Sequence, residues 1–237
     1  MGEPPRFRDL LRELDETEGT EIVEELRRLK RTISIVNRNF EEVDEMDQWF
    51  MEQGVAIQLK KDRGDMDDFL LEYLRRYHNY IVSVYTLIKQ TQRIKRADKY
   101  GTEEFDDVYD EGKERFDIED HWEFLQQLRH FMQKSRLPSI DVTLIQEDEG
   151  VRFGLVVSRD ELLAHGSFKS WGKEYLNSRE DEIDIQAEMR AYHENVNEFY
   201  SWFFEALQDH RDDAINEMEE IFHQMEEKRS ELFDNLR

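Results

Sequence analysis

The sequence contains no cysteine. Disulfides, thiolate catalysis and cysteine-based zinc or iron–sulfur sites are therefore excluded. Only ten glycines and three prolines occur in 237 residues, and so few turn-forming residues favour long helices over a sheet of many strands. No apolar run approaches the roughly 20 residues that span a bilayer, and the first residues lack the apolar core of a signal peptide. We therefore expect a cytoplasmic protein without membrane contact.

Acidic residues, by contrast, are abundant. The chain has 57 Asp and Glu against 33 Lys and Arg, a formal net charge of −24. A uniformly acidic surface repels nucleic-acid backbones and anionic lipids at low salt. Because the acids are spread along the whole chain, we interpret them as adaptation to high salt, of the kind expected in a halophilic archaeon. The Debye length falls to roughly 3 Å near molar salt, so acidity would not then exclude RNA.

Apolar residues recur at heptad spacing in three long segments, which run from Ile22 to Val43, from Leu70 to Ile88 and from Ile185 to Leu207. Alternating spacings of four and three predict long amphipathic helices. A shorter apolar face, from Phe124 to Met132, predicts a further helix that ends before Pro138.

The third segment continues, less apolar, as far as Met225. An unbroken helix over 185–233 would be roughly 70 Å long at 1.5 Å per residue, which is longer than a small bundle needs. We therefore expect a break near QDHRDD, residues 208–213, or a C-terminal segment that packs on the N-terminal helix or on a second chain.

The pattern changes after Pro138. Two β-branched runs, Ile140–Ile145 and Val151–Val157, flank the turn sequence QEDEG and predict a β-hairpin. Ser158 and Glu161 form a capping box that starts a short helix. The predicted fold is mainly α: a helical bundle of four to five long helices with one inserted β-hairpin and short helices.

The linkers are too short for independent domains. We expect a charged N-terminal lead-in over residues 1–19, with a short helix from Arg6 to Leu14, and a single helical domain over 20–237.

Arg129 is the first candidate site residue. It lies along the apolar seam, between Leu125 and Met132. Burying a guanidinium costs several kcal/mol unless it is paired, so Arg129 must reach a carboxylate or open onto a cleft. His130 and Lys134 are four residues apart and share a helical face. His130 can titrate near neutral pH, and Lys134 could hold a phosphate.

A second group of candidates lies on the helix from Leu70. Arg75 and Asn79 share a polar stripe, with His78 beside it. Such a stripe is either a solvated face or a face that opens on a binding site. The same helix ends in the basic run KQTQRIKRADK, which suits either the helix dipole or phosphate binding.

Other chemistry has little support in the sequence. A di-metal carboxylate site in a bundle needs paired Glu-x-x-His motifs, and only one such motif occurs, Glu220 to His223. There is no His-Glu-x-x-His zinc motif, Gly-rich phosphate loop or nucleophile elbow. We therefore expect no metal, no cofactor and no nucleotide.

Two segments carry a resemblance to a known family. FLQQLRHFMQKSRLP, with the hairpin and capped helix that follow, and the preceding LRRYHNYIVSVYTLI resemble HEPN-like helical proteins. The resemblance covers about residues 65–207 and leaves 208–237 as a C-terminal helical extension. It implies two copies that pair so that both Arg-polar-x3-His motifs face one cleft, and metal-independent RNA cleavage by attack of the 2′-hydroxyl.

Carried over, Arg129 takes the Arg position and His130 the polar position. Lys134 stands where the family has His. Arg129 and His130 are thus candidate catalytic residues, and Lys134, Arg75, His78 and Asn79 are candidate binding residues.

Three functions remain open on this evidence. The first is a catalytically impaired HEPN-like module, acting as a homodimer that binds RNA or a partner protein in defence or stress response. The second is an active metal-independent ribonuclease that uses Arg129, His130 and His78. The third is a structural or oligomerisation protein in which Arg129 belongs to a buried ion pair.

Overall fold

The computed structural model describes residues 6–234 except for 53, 97–102, 135–137, 148–149 and 165–169. Within these residues the chain forms ten helices and three strands: α1 Phe7–Glu16, α2 Glu18–Met51, α3 Val55–Leu59, α4 Arg63–Arg96, α5 Glu103–Arg115, α6 Glu119–Lys134, β1 Ile140–Glu147, β2 Gly150–Ser158, α7 Arg159–Ala164, α8 Ser170–Asn177, β3 Glu182–Asp184, α9 Ile185–His210 and α10 Asp212–Asp234. The predicted mainly α fold with an inserted hairpin is confirmed.

The two longest helices form an antiparallel pair. α2 and α4 are each 34 residues long and pack along much of their length. The Asn39 side chain donates to the Asn79 carbonyl at 3.4 Å, and the Thr32 hydroxyl donates to Gln90 at 2.7 Å. The heptad pattern predicted both helices because their buried faces repeat at this spacing.

The core lies between this pair and α9. It is rich in aromatic side chains that are fully buried, among them Tyr73, Tyr77 and Tyr80 of α4 and Phe199 and Phe203 of α9. α5 covers the other side of α9, where Tyr109 meets Phe199 edge-to-face. α4 therefore presents one face to α9 and keeps the opposite face exposed.

The predicted hairpin is confirmed. β1 and β2 pair antiparallel in continuous register from Ile140 opposite Val157 to Glu147 opposite Gly150. Two residues of the predicted turn, 148 and 149, lie outside the described residues. β3, of only three residues, adds to β2 on its other side, and it was too short for the sequence pattern to reveal.

The C-terminal helix breaks where the sequence predicted. α9 ends at His210, Arg211 has φ −124°, and α10 starts at Asp212. α10 then packs on α1 and α2 of the same chain. The N-terminal residues expected to form a lead-in thus include a helix, α1, whose Leu10 is buried in a small cluster with Ile221 and Met225.

Gly19 lies at a close approach of α2 to α10. A Cβ at this position would come 2.2 Å from the Ala214 carbonyl oxygen and 2.6 Å from the Met218 Cβ. Alanine usually stabilises a helix by about 1 kcal/mol relative to glycine, but here a backbone must move. We expect Gly19→Ala to lower the free energy of unfolding in urea by about 1–3 kcal/mol.

Gly64→Ala, near the start of α4, is the matched control for this substitution. Its Cβ would meet only an Asp62 carboxylate oxygen, at 3.2 Å, so we expect a change of less than about 1 kcal/mol. Equal stabilisation by both alanines would contradict the close packing of α2 on α10.

Candidate nucleic-acid interface

Arg129 stacks on a tyrosine of the neighbouring helix. α6 packs on α4, and the guanidinium carbon of Arg129 lies 3.8 Å from the centre of the Tyr85 ring. The Lys89 ammonium lies 5.3 Å from the same ring centre. The ring face attracts both cations through its quadrupole, but it gives the guanidinium no in-plane hydrogen-bond acceptor. The Arg129 Nε is buried and has no hydrogen-bond partner among the described residues.

Arg129 differs from the other half-buried arginines in that no carboxylate of the described residues pairs with it. Among the described residues it makes no ion pair, so the ion pair of the structural alternative is not seen in this part of the chain. The other half-buried arginines that the structure describes each lie within ion-pair distance of an acid: Arg76 with Glu72, Arg152 with Asp184, Arg159 with Asp181, Arg179 with Glu188, Arg190 with Asp44 and Asp47, and Arg211 with Glu18.

The Arg129 site adjoins helical segments that contain no acidic residues. No Asp or Glu occurs in residues 27–40 of α2, 73–96 of α4 or 124–134 of α6, in a chain with 57 acids among 237 residues. α4 packs against both α2 and α6, so its acid-free segment adjoins each of the other two. We call their exposed cations, together with Arg129, the basic surface; the exposed members are Arg27, Arg28, Lys30, Arg31 and Arg38 on α2 and Arg75, Lys89, Arg93 and Arg96 on α4.

A few acids at the edge of these segments pair with the basic surface. Arg28 lies 2.8 Å from Glu24, and Arg75 binds Glu72 at 2.7 Å. Hydrogen bonds from Arg75 and Arg76 lower the pKa of Glu72 to about 2. Exposed pairs of this kind add little to stability, so a phosphate can replace the carboxylate at little cost.

Acids of α5 reach the basic end of α4, where Lys95 lies 3.4 Å from Asp106 and 3.2 Å from Asp110, but the acids of α9 lie farther away. The inner face of α4 meets α9, where Thr91 and Tyr200 hydroxyls are 2.7 Å apart. Acids on the outer side of α9 are thus separated from the basic surface by at least one helix, about 10–12 Å thick. The Debye length at 0.1 M salt is about 10 Å, so their repulsion is largely screened.

The structure places the other predicted catalytic and phosphate-binding residues on the same helix as Arg129. His130 follows it and is half-buried. Lys134 is the last residue of α6, and its side chain lies outside the described residues. These three residues are close together because they lie on one helix, as the sequence predicted.

The candidates on α4 are not brought into contact with Arg129. Arg75 and Asn79 are exposed and His78 is half-buried. Asn79 lies six residues before Tyr85, about 9 Å along the helix axis. Within the described part of the chain, Arg129 forms no hydrogen bond or ion pair with any of the three. They belong to the same exposed face of α4 but not to one compact site.

Sequence reasoning missed two parts of this interface. Tyr85 could not be found, because nothing in a sequence shows that residue 129 lies over residue 85. The α2 arginines were also missed, although a signal was present: residues 27–40 and 73–96 lack acids in a very acidic chain.

A buried carboxylate joins α2 to α9 at the end of the bundle near the sheet. Asp47 is fully buried. Gln186 donates to one of its oxygens at 2.6 Å, and Arg190 donates to the other at 3.2 Å. Burial raises the pKa of Asp47 to about 6, although the Gln186 hydrogen bond and the Arg190 charge act in the opposite direction.

A buried histidine, His193, lies three residues after Arg190 on α9. His193 stacks on Phe40 with ring centres 3.7 Å apart, and its Nε2 is 3.0 Å from Asn197 Nδ2. Its Nδ1 is buried and finds no hydrogen-bond partner among the residues that the structure describes. Burial lowers the pKa of His193 to about 4. The ring lines an open groove of about 660 Å³ between α2 and α9.

Comparison with known proteins identifies no relative. No family model, curated protein or solved structure matches this chain. Among the described residues, no group of three or more His, Asp or Glu side chains could hold a metal ion. No helix in the described ranges has a stretch long and apolar enough to cross a membrane.

Proposed function

We propose that this protein binds RNA through the basic surface, with Arg129 as a phosphate ligand. The observation that carries the proposal is the Arg129 guanidinium, which rests on Tyr85 with no carboxylate among the described residues. Arginine is suited to phosphate because its planar N–H fork can donate two parallel hydrogen bonds to the oxygens. A bound phosphate would pair with Arg129 in the way that Asp and Glu side chains pair with the other half-buried arginines.

The cations around this residue favour a chain of phosphates over a single anion. The acid-free segments extend over 24 residues of α4 and 14 of α2, about 36 Å and 21 Å of helix. Neutralising several phosphates releases counterions, and this release supplies most of the sequence-independent affinity for nucleic acid. The negative net charge of the protein lowers its affinity for single anions. It does not exclude a polyanion that follows the basic surface.

The proposed function is binding without efficient cleavage. In the HEPN-like proteins that the chain resembles, Arg steadies the phosphate and His moves a proton. Lys134 occupies the His position, and a lysine with a reference pKa near 10.4 is a poor base at neutral pH. The resemblance also implies a homodimer in which two Arg129 sites share one cleft, and light scattering at several protein concentrations tests that arrangement.

RNA binding is testable by fluorescence anisotropy with a labelled twelve-nucleotide uridine strand, U12. Measured from 0.1 to 0.4 M KCl, the logarithm of the binding constant should fall against the logarithm of salt with a slope of roughly −2 to −3.5, which corresponds to about three to five phosphates. No binding at 0.1 M KCl would refute the proposal. Salt-independent binding would exclude a phosphate interface.

The same strand distinguishes binding from catalysis. We expect U12 and a mixed-sequence RNA to remain intact on a denaturing gel after prolonged incubation with EDTA. Robust metal-independent cleavage that disappears in Arg129→Ala would instead establish the active ribonuclease. A bell-shaped pH–rate profile abolished by His130→Ala would then assign the proton transfer.

A further inference from the structure

A small pocket opens within the basic surface, between α2 and α4. It has a volume of about 80 Å³ and is lined by Glu25, Arg28, Leu29, Gln90, Arg93 and Ile94. A single water needs roughly 10–15 Å³ measured in this way. The pocket is therefore large enough for more than one water, and it is far smaller than a whole nucleotide.

A half-buried carboxylate forms one wall of the pocket. The Glu25 Oε2 is buried and has no hydrogen-bond partner within the described part of the chain. Its Oε1 forms an ion pair with Arg93, at 3.8 Å from Nη2, but this distance is too long for a hydrogen bond. A buried acceptor without a donor costs roughly 1–3 kcal/mol. The glutamate is thus an acceptor that a ligand with N–H groups would satisfy.

The other polar groups of the pocket define how such a ligand could lie. The Arg28 guanidinium is held by Glu24, one residue before Glu25, and Arg93 is largely exposed. Gln90 accepts from the Thr32 hydroxyl through its carbonyl oxygen, so its amide nitrogen remains as a donor. The rim is therefore cationic, while the wall offers two acceptor oxygens and one amide donor beside them.

A nucleobase edge with adjacent N–H donors matches this arrangement. Guanine presents N1–H and N2–H2 side by side, which suits the two oxygens of a carboxylate, and its O6 accepts from an amide. Cytosine and adenine each present a single exocyclic amine, and uracil presents one ring N–H. Bases of single-stranded RNA can be splayed out and recognised on this edge.

We propose that the Glu25 pocket takes the edge of a guanine from RNA bound along the basic surface. The inference rests on the proposed RNA binding and adds a preference for guanine to it. Arg28 and Arg93 would hold the phosphates on either side, while Glu25 reads the base. Phosphate contacts set the position of the strand, and the base contact supplies the selectivity.

The test compares U12 with the same strand carrying one central G, A or C. For the wild-type protein we expect the G strand to bind about tenfold more tightly than U12, and the A and C strands to gain less. Glu25→Gln should abolish the preference for G, because one carboxylate oxygen becomes an amide donor. This variant retains the side-chain shape, and thermal unfolding checks its fold.

Glu24→Gln is the matched control. It removes the same charge from the neighbouring, exposed position, so both variants should bind U12 somewhat more tightly through the reduced repulsion. Only Glu25→Gln should remove the selectivity.

The outcomes separate the two proposals. Failure of U12 and all its derivatives to bind would refute the RNA-binding function itself. Binding of U12 with equal affinity for the G strand, or a preference for G that persists in Glu25→Gln, would refute the guanine pocket and leave phosphate binding intact. A preference for A or C would also refute the assignment to guanine.

Discussion

Replacing Arg129 with alanine is expected to weaken the binding of U12 by about 10- to 100-fold at 0.1 M KCl. A charged hydrogen bond to phosphate contributes roughly 1.5–3 kcal/mol, and the arginine also contributes through counterion release. The salt dependence should become shallower by about 0.7 for each phosphate of the single strand that the protein no longer neutralises. Anisotropy titrations at several salt concentrations measure both quantities.

Arg115→Ala provides the control for this prediction. The Arg115 guanidinium also lies over an aromatic ring, that of Phe116, at 5.1 Å from its centre. It is on α5, outside the acid-free segments, and it is exposed. We expect less than a roughly threefold change in affinity for Arg115→Ala, because surface substitutions away from the interface have small effects. Equal weakening in both variants would show that general positive charge, and not the Arg129 site, sets the affinity.

A second large effect is expected in the pH dependence of stability. The pKa of Asp47 is raised from 3.8 to about 6 in the folded protein, so the folded state binds a proton that the unfolded chain has already released. Asp47 alone therefore makes the protein more stable as the pH falls through this window, by up to about 3 kcal/mol. Asp47→Asn removes this gain, and the variant should lose more stability than wild type between pH 7 and pH 4.

His193 acts in the opposite direction over nearly the same range. Its pKa is lowered from 6.5 to about 4 by burial, so the unfolded chain binds a proton that the folded protein refuses. Stability from this group is present above pH 6.5 and declines as the pH falls toward 4, by up to about 3 kcal/mol. His193→Phe should therefore lose less stability than wild type on acidification.

Urea unfolding of wild type, Asp47→Asn and His193→Phe at pH 7, 5.5 and 4 measures these differences. On acidification, Asp47→Asn should lose more stability than wild type and His193→Phe should lose less. The double variant should lose about as much stability as wild type. If both single variants follow the wild-type slope, neither group is buried as the structure places it.

The helices could be predicted from the sequence because the apolar residues that they bury recur with helical spacing. The apolar residues from Ile22 to Val43 and from Leu70 to Ile88 bury one face of each helix, and burial of that face determines the pattern. The break at Arg211 followed from length, because one unbroken helix over 185–233 would be longer than a small bundle needs. β3 escaped prediction because its three residues, Glu182–Asp184, depend on β2 for their conformation.

The candidate site was predicted only in part, for a related reason. Position along one helix follows from spacing, so Arg129, His130 and Lys134 could be grouped from sequence alone. Contacts between helices are set by three-dimensional packing, which placed Arg129 over Tyr85 of a different helix. The joining of three acid-free segments was visible only once α2, α4 and α6 were known to be neighbours.

Photo-crosslinking to RNA that carries 4-thiouridine, followed by mass spectrometry of the linked peptides, tests the central claim most directly. We predict crosslinks in residues 27–40, 73–96 and 124–134, with Tyr85 among the linked positions and with a marked reduction in Arg129→Ala. Crosslinks confined to α9 and α10, or none above the level of a heat-denatured control, would contradict the assignment of the basic surface as an RNA interface.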